Sequence, residues 1–277
     1  MIQEIGPYKF DNQYKNLSPK PEDFIIGFAG TNKRDHSIFI KNNNENIDFP
    51  EMKTLTLKEK PIFLFKIDDR AFFLTLEQLE LPGYSYESIR TMRHANPRHL
   101  CFAGMTAYHL YQWYIDSQYC GHCGARTQHD AKERMMKCPE CGTMIFPKIA
   151  PAVIIGVKNG DSLMMSHYAG REYKGRALLA GFCEIGETPE ETVAREVMEE
   201  VGLKVKNITY YGSQPWGFDM NLLLGYYCDL DGDGAVTLDH EELADAGFVK
   251  RADIEPDSNL NSLTATMIEE FRTGKIM

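Results

Sequence analysis

Three carboxylates stand at helical spacing near the middle of the second half of the chain. Glu196, Glu199 and Glu200 occupy positions i, i+3 and i+4, so a helix would stack their side chains on one face. Like charges this close destabilise a helix unless something neutralises them. Hard divalent cations take oxygen ligands, and Mg²⁺ and Mn²⁺ are favoured beside phosphate groups. The spacing therefore favours a metal site, with a solvated acidic surface as the alternative.

The helix that must carry these carboxylates has recognisable ends. Thr188 is placed as the N-cap, Pro189 stands in the first turn, and Gly202 follows where a left-handed cap is expected. An apolar stripe next to the carboxylates consists of three valines, Val193, Val197 and Val201. We therefore predict a helix from Thr188 to Val201 whose acidic edge borders the packed core.

Four cysteines form a second group with chemical potential. Cys120-Gly-His-Cys123 and Cys138-Pro-Glu-Cys141 are separated by fourteen residues, and two such knuckles can bring four thiolates onto one Zn²⁺. Chance pairing and disulfides are the alternatives, but the doubled spacing favours zinc. Because four thiolates complete the coordination shell, we expect one structural Zn²⁺ per chain on Cys120, Cys123, Cys138 and Cys141.

Composition limits the remaining possibilities. The 277 residues include 30 Lys and Arg against 40 Asp and Glu, a net charge of −10, so no overall positive field is available to hold long nucleic acid. The first residues lack the pattern of a secretory signal, and the longest apolar stretch, around 149–157, is too short to span a bilayer. We expect a cytoplasmic protein without a membrane partner.

Secondary-structure signals divide the chain into three predicted parts. Residues 1–117 are interpreted as a β-rich domain that ends in a connecting helix over about 97–118, residues 118–148 as a zinc ribbon, and residues 149–277 as the domain that carries the acidic helix. Strands are predicted at Phe24–Phe28, Ser37–Ile40, Pro61–Phe65, Ala71–Leu74 and Ala152–Val157, a polar loop at 42–46, and a terminal helix at Ser262–Arg272.

The segment from Gly181 to Leu203 resembles the Nudix box, G-x(5)-E-x(7)-R-E-U-x-E-E-x-G-U with U an aliphatic residue, at every fixed position. The resemblance implies a Nudix hydrolase, with an α/β/α sandwich around a mixed sheet for residues 149–277. It also implies a divalent cation, Mg²⁺ or Mn²⁺, held by Glu196, Glu200 and the carbonyl of Ala180. Glu199 would be a further ligand or the base for the attacking water. Arg195 and Glu187 would form the ion pair that orients these carboxylates.

A four-cysteine ribbon directly before a Nudix domain is similar to the arrangement of NADH pyrophosphatases, and the order of parts matches over most of the chain. Ser213-Gln-Pro-Trp216 resembles the opening of that family's S-Q-P-W-P-F-P-x-S signature. The match then weakens, since Gly217, Asp219 and Asn221 replace Pro, Pro and Ser, and we expect Gly217 to make this loop more flexible. The resemblance implies substrate contacts by Gln214, Pro215, Trp216, Gly217, Phe218, Asp219, Met220 and Asn221, with plain packing as the alternative for Trp216 and Phe218.

Further residues match family positions one at a time. By resemblance, Glu242 would be a late metal-binding acid, with Glu241 as the substitute if the register slips by one. Contacts with the substrate are expected from Arg90, Glu133, Phe146, Phe182 and Thr264. For Arg90 and Glu133 an ordinary surface charge is the alternative interpretation.

The most specific function that follows is hydrolysis of the pyrophosphate bond of NADH or NAD⁺ into nicotinamide mononucleotide and AMP. Decapping of NAD-capped RNA and hydrolysis of ADP-ribose or another nucleoside diphosphate derivative are the enzymatic alternatives. A nucleotide-sensing binding module is the non-enzymatic one, although it predicts damaged catalytic acids and all of them are present. The expected partners are a dinucleotide or an RNA 5′ end and, by resemblance, a second copy of the chain in a homodimer.

Overall fold

The computed structural model describes residues 1–30, 36–168, 175–238, 243–257 and 259–276. The chain forms two compact units. One comprises residues 2–148 and 217–220, and the other comprises Met1, 149–216 and 221–277.

A seven-stranded sheet and one long helix make up most of the first unit. The elements are β1 Phe10–Asp11, β2 Phe24–Ala29, β3 Ser37–Asn43, β4 Asn46–Asp48, β5 Ile62–Ile67, β6 Arg70–Thr75, β7 Ser85–Ser88 and α1 Arg98–Asp116. The strand order is β1-β5-β6-β2-β3-β4, with β7 paired to β3. Strands β2 and β6 run parallel and the other pairs run antiparallel, so the sheet is mixed.

The polar stretch 42–46 differs from its prediction as a loop. Strand β3 continues through Asn43, and β4 already begins at Asn46. The turn is reduced to Asn44 and Glu45, whose φ angles are 51° and 67°. Two successive positive φ angles match the right-handed twist of hairpin strands, and asparagine tolerates this backbone well. Polarity indicated a turn here, but strand pairing extends almost up to it.

The zinc ribbon is a small three-stranded antiparallel sheet. Its strands are β8 Gln128–His129, β9 Met136–Lys137 and β10 Met144–Ile145, in the order β10-β9-β8. Such short strands bury little apolar area, which is why a module of this size needs a metal to fold.

The second unit is a six-stranded mixed sheet with a helix on each face. Its elements are β11 Ala150–Asn159, β12 Ser162–Tyr168, β13 Leu179–Phe182, α2 Pro189–Val201, β14 Val205–Trp216, β15 Asn221–Leu230, β16 Leu243–Lys250 and α3 Leu263–Arg272. The strand order is β14-β15-β11-β12-β16, and β13 pairs with β11. Strands β11 and β15 are parallel, whereas the other pairs are antiparallel.

Alternation along β11 explains the two layers. Side chains in a strand point to opposite faces in turn, so neighbouring residues serve different cores. One core joins Val153, Ile155 and Val157 to the valines of α2, and the other joins Ala152 and Ile154 to Leu263, Met267 and Phe271 of α3. The predicted α/β/α sandwich is therefore confirmed. Within the described residues, none of the helices is both long enough and apolar enough to cross a membrane.

Candidate functional site

The acidic helix α2 is fixed at both ends. The Thr188 hydroxyl accepts a hydrogen bond from the Glu191 amide at 3.3 Å, while the Glu191 carboxylate accepts one from the Thr188 amide at 2.8 Å. This reciprocal capping box satisfies two backbone donors that the helix itself leaves unpaired. Gly202 ends the helix with a φ of 69° in the left-handed region. The predicted helix is confirmed, and its ends set the register of the three carboxylates.

Glu196 lies against the backbone of strand β13. Its side chain is almost buried, and a Cβ added to Gly181 would lie 1.9 Å from its carboxyl carbon. Only glycine leaves room for the carboxylate at this point of the strand. The first glycine of the box therefore leaves the space that the Glu196 carboxylate occupies.

Arg195 connects the acidic groups. Its Nε donates to Glu187 Oε1 at 2.7 Å and its Nη2 donates to Glu187 Oε2 at 3.0 Å, so the ion pair implied by the Nudix resemblance is present and bidentate. Its Nη1 donates at 2.8 Å both to Glu196 Oε1 and to Glu199 Oε2. Its Nη2 also donates to the carbonyl of Phe182 at 3.0 Å. One guanidinium thus ties the loop after β13 to the carboxylates of α2.

The hydrogen bonds of this network shift the pKa values of Glu187 and Arg195. The hydrogen bond from Arg195 is the main reason why the pKa of Glu187 falls to about 2, and bonds from the Glu184 amide and the Thr192 hydroxyl add to it. Its hydrogen bonds to Glu187, Glu196 and Glu199 raise the pKa of Arg195 in turn. Glu187 and Arg195 are therefore both charged at neutral pH.

The three carboxylates differ in exposure. Glu200 is 2% exposed and Glu196 is 9% exposed, whereas the Glu199 side chain is 58% exposed. Buried carboxylates are costly unless a positive group balances them. Glu199 can exchange partners at the surface, while Glu196 and Glu200 are fixed by packing.

This set of donors fits a hard divalent cation. It offers carboxylate oxygens and a nearby backbone carbonyl, which are the ligands that Mg²⁺ and Mn²⁺ take. The seat beneath Glu196, which a Cβ on Gly181 would fill, holds that carboxylate next to the strand backbone. The predicted late ligand Glu242 and its substitute Glu241 lie outside the described residues.

The four cysteines of the ribbon converge as predicted. Their sulfur atoms all lie within 4.8 Å of one another, and three Sγ–Sγ distances are 3.5–3.6 Å. Zn–S bonds of about 2.3 Å in a tetrahedron place sulfurs about 3.8 Å apart, so the cluster has the size that zinc requires. Elsewhere in the described part of the chain, no group of three or more His, Cys, Asp or Glu side chains meets in this way.

The local backbone favours the thiolate of Cys120. Hydrogen bonding from the amides of Cys123 and His122 lowers the pKa of Cys120 to about 6. Gly124 completes this turn with a φ angle of 77°, and Gly142 completes the turn of the second cysteine pair with a φ angle of 76°. The other cysteines, Cys101, Cys183 and Cys228, are single buried or half-buried thiols, as predicted.

The side chain of Gln214, a predicted substrate contact, is engaged by backbone groups. The side chain is fully buried, and its amide bonds to the backbone at Asn261 and Leu263, at the start of α3. Both ends of the amide are thus engaged inside the second unit. These bonds give the side chain a structural role, and its contact with substrate stays a prediction.

Packing against helix α1 explains why residue 217 is a glycine. A Cβ at this position would lie 2.4 Å from the carbonyl oxygen of Met105 in α1. The glycine therefore allows close packing against a helix, and Gln112 Nε2 donates to its carbonyl at 3.5 Å. The expectation of a more flexible loop stays a prediction, while these contacts give the glycine a packing role.

The other predicted substrate contacts stay predictions, and the structure gives their exposure. Trp216 is half-buried and packs against the core below α3, whereas Phe182 is 55% exposed. Among the others, Phe218 and Thr264 are half-buried, Met220 and Asn221 are buried, and Pro215, Asp219, Arg90, Glu133 and Phe146 are exposed. Arg90 lies in a short 3-10 helix, Ile89–Arg93, capped by the Ser88 hydroxyl.

Two supporting residues were not foreseen. The Thr192 hydroxyl donates to Glu187 Oε2 at 3.0 Å, and the Tyr226 hydroxyl donates to Glu190 Oε1 at 3.1 Å. Thr192 falls in the variable part of the box, and Tyr226 lies on another strand. No spacing in the sequence indicates either contact.

Comparison with known proteins agrees with this geometry. A family model described as the NUDIX domain matches residues 148–271, and one described as the NADH pyrophosphatase zinc ribbon domain matches residues 115–146. The chain is 32% identical over 213 residues to the NAD-capped RNA hydrolase NudC of Pseudomonas aeruginosa, covering 76% of this chain and 73% of that protein.

Two further proteins are similar. The NAD-capped RNA hydrolase NudC of Erwinia tasmaniensis is 38% identical over 141 residues, which cover 51% of this chain and 54% of that protein. A crystal structure of a NUDIX hydrolase from Nitrosomonas europaea aligns at 18% identity with a TM-score of 0.49, covering 57% of this chain and 92% of that one. By the box, the ribbon and the length of the first match, the chain belongs to the Nudix hydrolase family, in the group that carries the NADH pyrophosphatase zinc ribbon.

Proposed function

We propose that the protein hydrolyses the pyrophosphate bond of NADH or NAD⁺, releasing nicotinamide mononucleotide and AMP. The observation that carries the proposal is the seat of Glu196 on Gly181, held by Arg195 and Glu187 on a helix with fixed ends. A carboxylate held this firmly beside a strand backbone is suited to a cation and a phosphate, and a solvated acidic surface would not need the glycine.

Glu196, Glu200 and the carbonyl of Ala180 would hold the Mg²⁺ or Mn²⁺ that Nudix hydrolases use, with Glu242 as a later ligand. When bound, the cation supplies Lewis-acid activation of water and neutralises phosphate charge. Because Glu196 and Glu200 are buried, their ligand atoms are positioned before substrate arrives.

Glu199 would act at the solvent edge of the site. Its exposed carboxylate is bonded to Arg195, a partner that also contacts Glu196 and Glu187. From there it can accept a proton from the attacking water or serve as a further ligand, and Arg195 keeps the group oriented. Water adds to one phosphorus, the bridging oxygen leaves with the other nucleotide, and no covalent intermediate with the protein forms.

The substrate class rests on the ribbon and on the relatives. Both similar curated proteins are named as hydrolases of NAD-capped RNA, and this name favours NAD-capped RNA as a second substrate with the same pyrophosphate. Substitutions in the loop that follows Trp216 leave ADP-ribose as a third. The contacts we propose for the dinucleotide are Arg90, Glu133, Phe146, Phe182 and Thr264, together with Pro215, Trp216 and the loop 217–221.

Three further points belong to the proposal. The segments 1–117, 118–148 and 149–277 are proposed as the β-rich domain, the ribbon and the Nudix domain. A homodimer is proposed from the family resemblance, which sedimentation equilibrium would test. A cytoplasmic location is proposed because zinc-binding thiolates persist in a reducing compartment.

A substrate screen tests the proposed function. NADH, NAD⁺, ADP-ribose, a diadenosine polyphosphate and NAD-capped RNA would each be incubated with the full chain and Mg²⁺ or Mn²⁺, and the products separated. We expect NADH or NAD⁺ to be cleaved, with NAD-capped RNA second. Cleavage of ADP-ribose alone would change the proposed substrate from NADH to ADP-ribose. No cleavage with either cation would favour the nucleotide-sensing binding module.

A further inference from the structure

Gln214 lies where the strand β14 approaches the start of helix α3. It is 0% exposed, and in the strand register it stands opposite Leu223, which belongs to the core beneath α3. Paired residues on neighbouring strands point to the same face. The side chain is thus directed at α3 and away from solvent, which is an unusual place for a polar group.

The Gln214 amide bonds on both sides of the helix N-cap. Its Nε2 donates to the carbonyl of Asn261 at 2.9 Å, and its Oε1 accepts from the amide of Leu263 at 2.7 Å. Between these two lies Ser262, whose hydroxyl accepts from the amide of Ala265 at 3.1 Å. The first amides of a helix have no intrahelical partner, so Gln214 and Ser262 share the capping of α3.

A primary amide meets both requirements at neutral pH. It offers a donor and an acceptor at the same end, whereas an ionised carboxylate only accepts and a thioether is at most a weak acceptor. Loss of one partner would leave a buried backbone group unsatisfied. The identity of residue 214 is therefore dictated by the backbone of α3.

From this geometry we propose that Gln214 is a positioning residue for nucleotide binding: it couples the start of α3, with Thr264, to the strand end that carries Pro215 and Trp216. The inference rests on the proposed function, in which these residues contact the dinucleotide. In this role Gln214 acts through the backbone of α3 and not through its own contact with substrate. It keeps two proposed contact segments in one fixed relation, so its loss should weaken binding more than it slows the chemical step.

Two variants of the full chain test this role. Gln214→Met keeps the volume and removes both bonds, and Gln214→Glu keeps the size but removes the donor to Asn261. We expect the KM for NADH to rise about tenfold in both, with kcat within about threefold of the parent, since one unsatisfied buried group weakens an equilibrium by roughly that factor. Backbone amides around Leu263 should exchange hydrogen faster. In Gln214→Glu, the KM should approach that of the parent as the pH falls, because a protonated carboxyl can donate to Asn261 again.

Thr127→Val is the matched control, since it removes a buried hydrogen bond to the carbonyl of Ser117 in the first unit. It should lower thermal stability and leave KM unchanged. An unchanged KM in both Gln214 variants, or unchanged amide exchange at Leu263, would overturn the positioning role even if the variants are less stable. If the parent itself cleaves no dinucleotide, the proposed function fails first, and this inference fails with it.

Discussion

The zinc ribbon and the acidic edge of α2 are both built for a cation, yet they are built differently. In the ribbon, four sulfurs of one kind face a common centre, and backbone amides favour the charged form of Cys120. On α2, carboxylates of unequal exposure share one guanidinium, and one of them remains at the surface. The first arrangement closes around its metal, and the second keeps a side open.

This difference separates stability from chemistry. A closed thiolate shell has no position for water or substrate, so its metal can only hold the fold. An open carboxylate site leaves coordination positions for phosphate oxygens and water. Substitutions of the ribbon cysteines should therefore lower the free energy of unfolding, and substitutions of the α2 carboxylates should lower the turnover rate.

The strongest test of the comparison is Glu200→Gln. The substitution keeps the volume and removes the charge from a 2% exposed carboxylate. We expect turnover to fall by about 100- to 1000-fold with folding intact, because charge stabilisation in the transition state has about this magnitude. Initial rates of NADH hydrolysis and thermal unfolding would be compared. Glu190→Gln is the control on the same helix, since its amide oxygen can still accept from Tyr226; equal losses in both variants would refute a specific role for Glu200.

The opposite outcome is expected for Cys138→Ser. Zinc binding is coupled to folding, so loss of a thiolate ligand should lower the free energy of unfolding by more than about 3 kcal/mol and reduce the bound zinc. Elemental analysis and chemical unfolding measure both. Cys101→Ser is the control, because this buried thiol donates to the carbonyl of Ala95 and a hydroxyl can do the same. A Cys138→Ser variant that kept its zinc and its stability would refute a structural role for zinc bound by this cysteine.

Gly181→Ala separates the position of a carboxylate from its charge. The new methyl group would meet Glu196, whose carboxyl carbon lies 1.9 Å from the Cβ position. Moving the carboxylate disturbs its packing and its bond with Arg195. We therefore expect some loss of stability and about a 100-fold loss of turnover, the usual effect of a displacement of about 1 Å in an active site. At Gly212 an added Cβ has nothing within 4 Å, so Gly212→Ala should retain activity. A Gly181→Ala variant with the activity of the parent would contradict the claim that Gly181 is needed to position the Glu196 carboxylate.

The smallest effect concerns pH. The pKa of Glu187 is lowered from 4.5 to about 2, mainly by Arg195. A carboxyl with a lower pKa in the folded chain stabilises the fold above its unfolded pKa, and this contribution is lost as the pH falls towards the folded value. The stability difference between the parent and Glu187→Gln should be constant above about pH 5 and shrink between about pH 4.5 and 2. Urea unfolding across this range measures it, and a difference independent of pH would argue against the ion pair.

Local signals predicted much of the catalytic helix. Thr188 and Gly202 mark its ends because caps act within one turn, and the valine spacing gave its buried side. The four cysteines were equally predictable, since each pair forms a local knuckle. The distribution of hydrogen bonds from Arg195 to Glu199 was not, because it depends on side-chain rotamers.

Contacts between distant parts of the chain escaped prediction. Gln214 was interpreted as a substrate contact from its place in a signature, yet its partners lie 47 and 49 positions away at the start of α3. Gly217 was interpreted as a flexible point, although the backbone of Met105 requires it. A motif indicates that a residue matters, but only packing tells whether it contacts a ligand or another part of the fold.

The most direct test of the central claim is identification of the products from NADH. The parent chain and Glu200→Gln would be incubated with NADH and Mg²⁺ or Mn²⁺, and the mixtures separated by ion-exchange chromatography. We predict equal amounts of AMP and reduced nicotinamide mononucleotide from the parent and almost none from Glu200→Gln. Intact NADH with the parent under both cations, or the same products at the same rate from Glu200→Gln, would contradict the account.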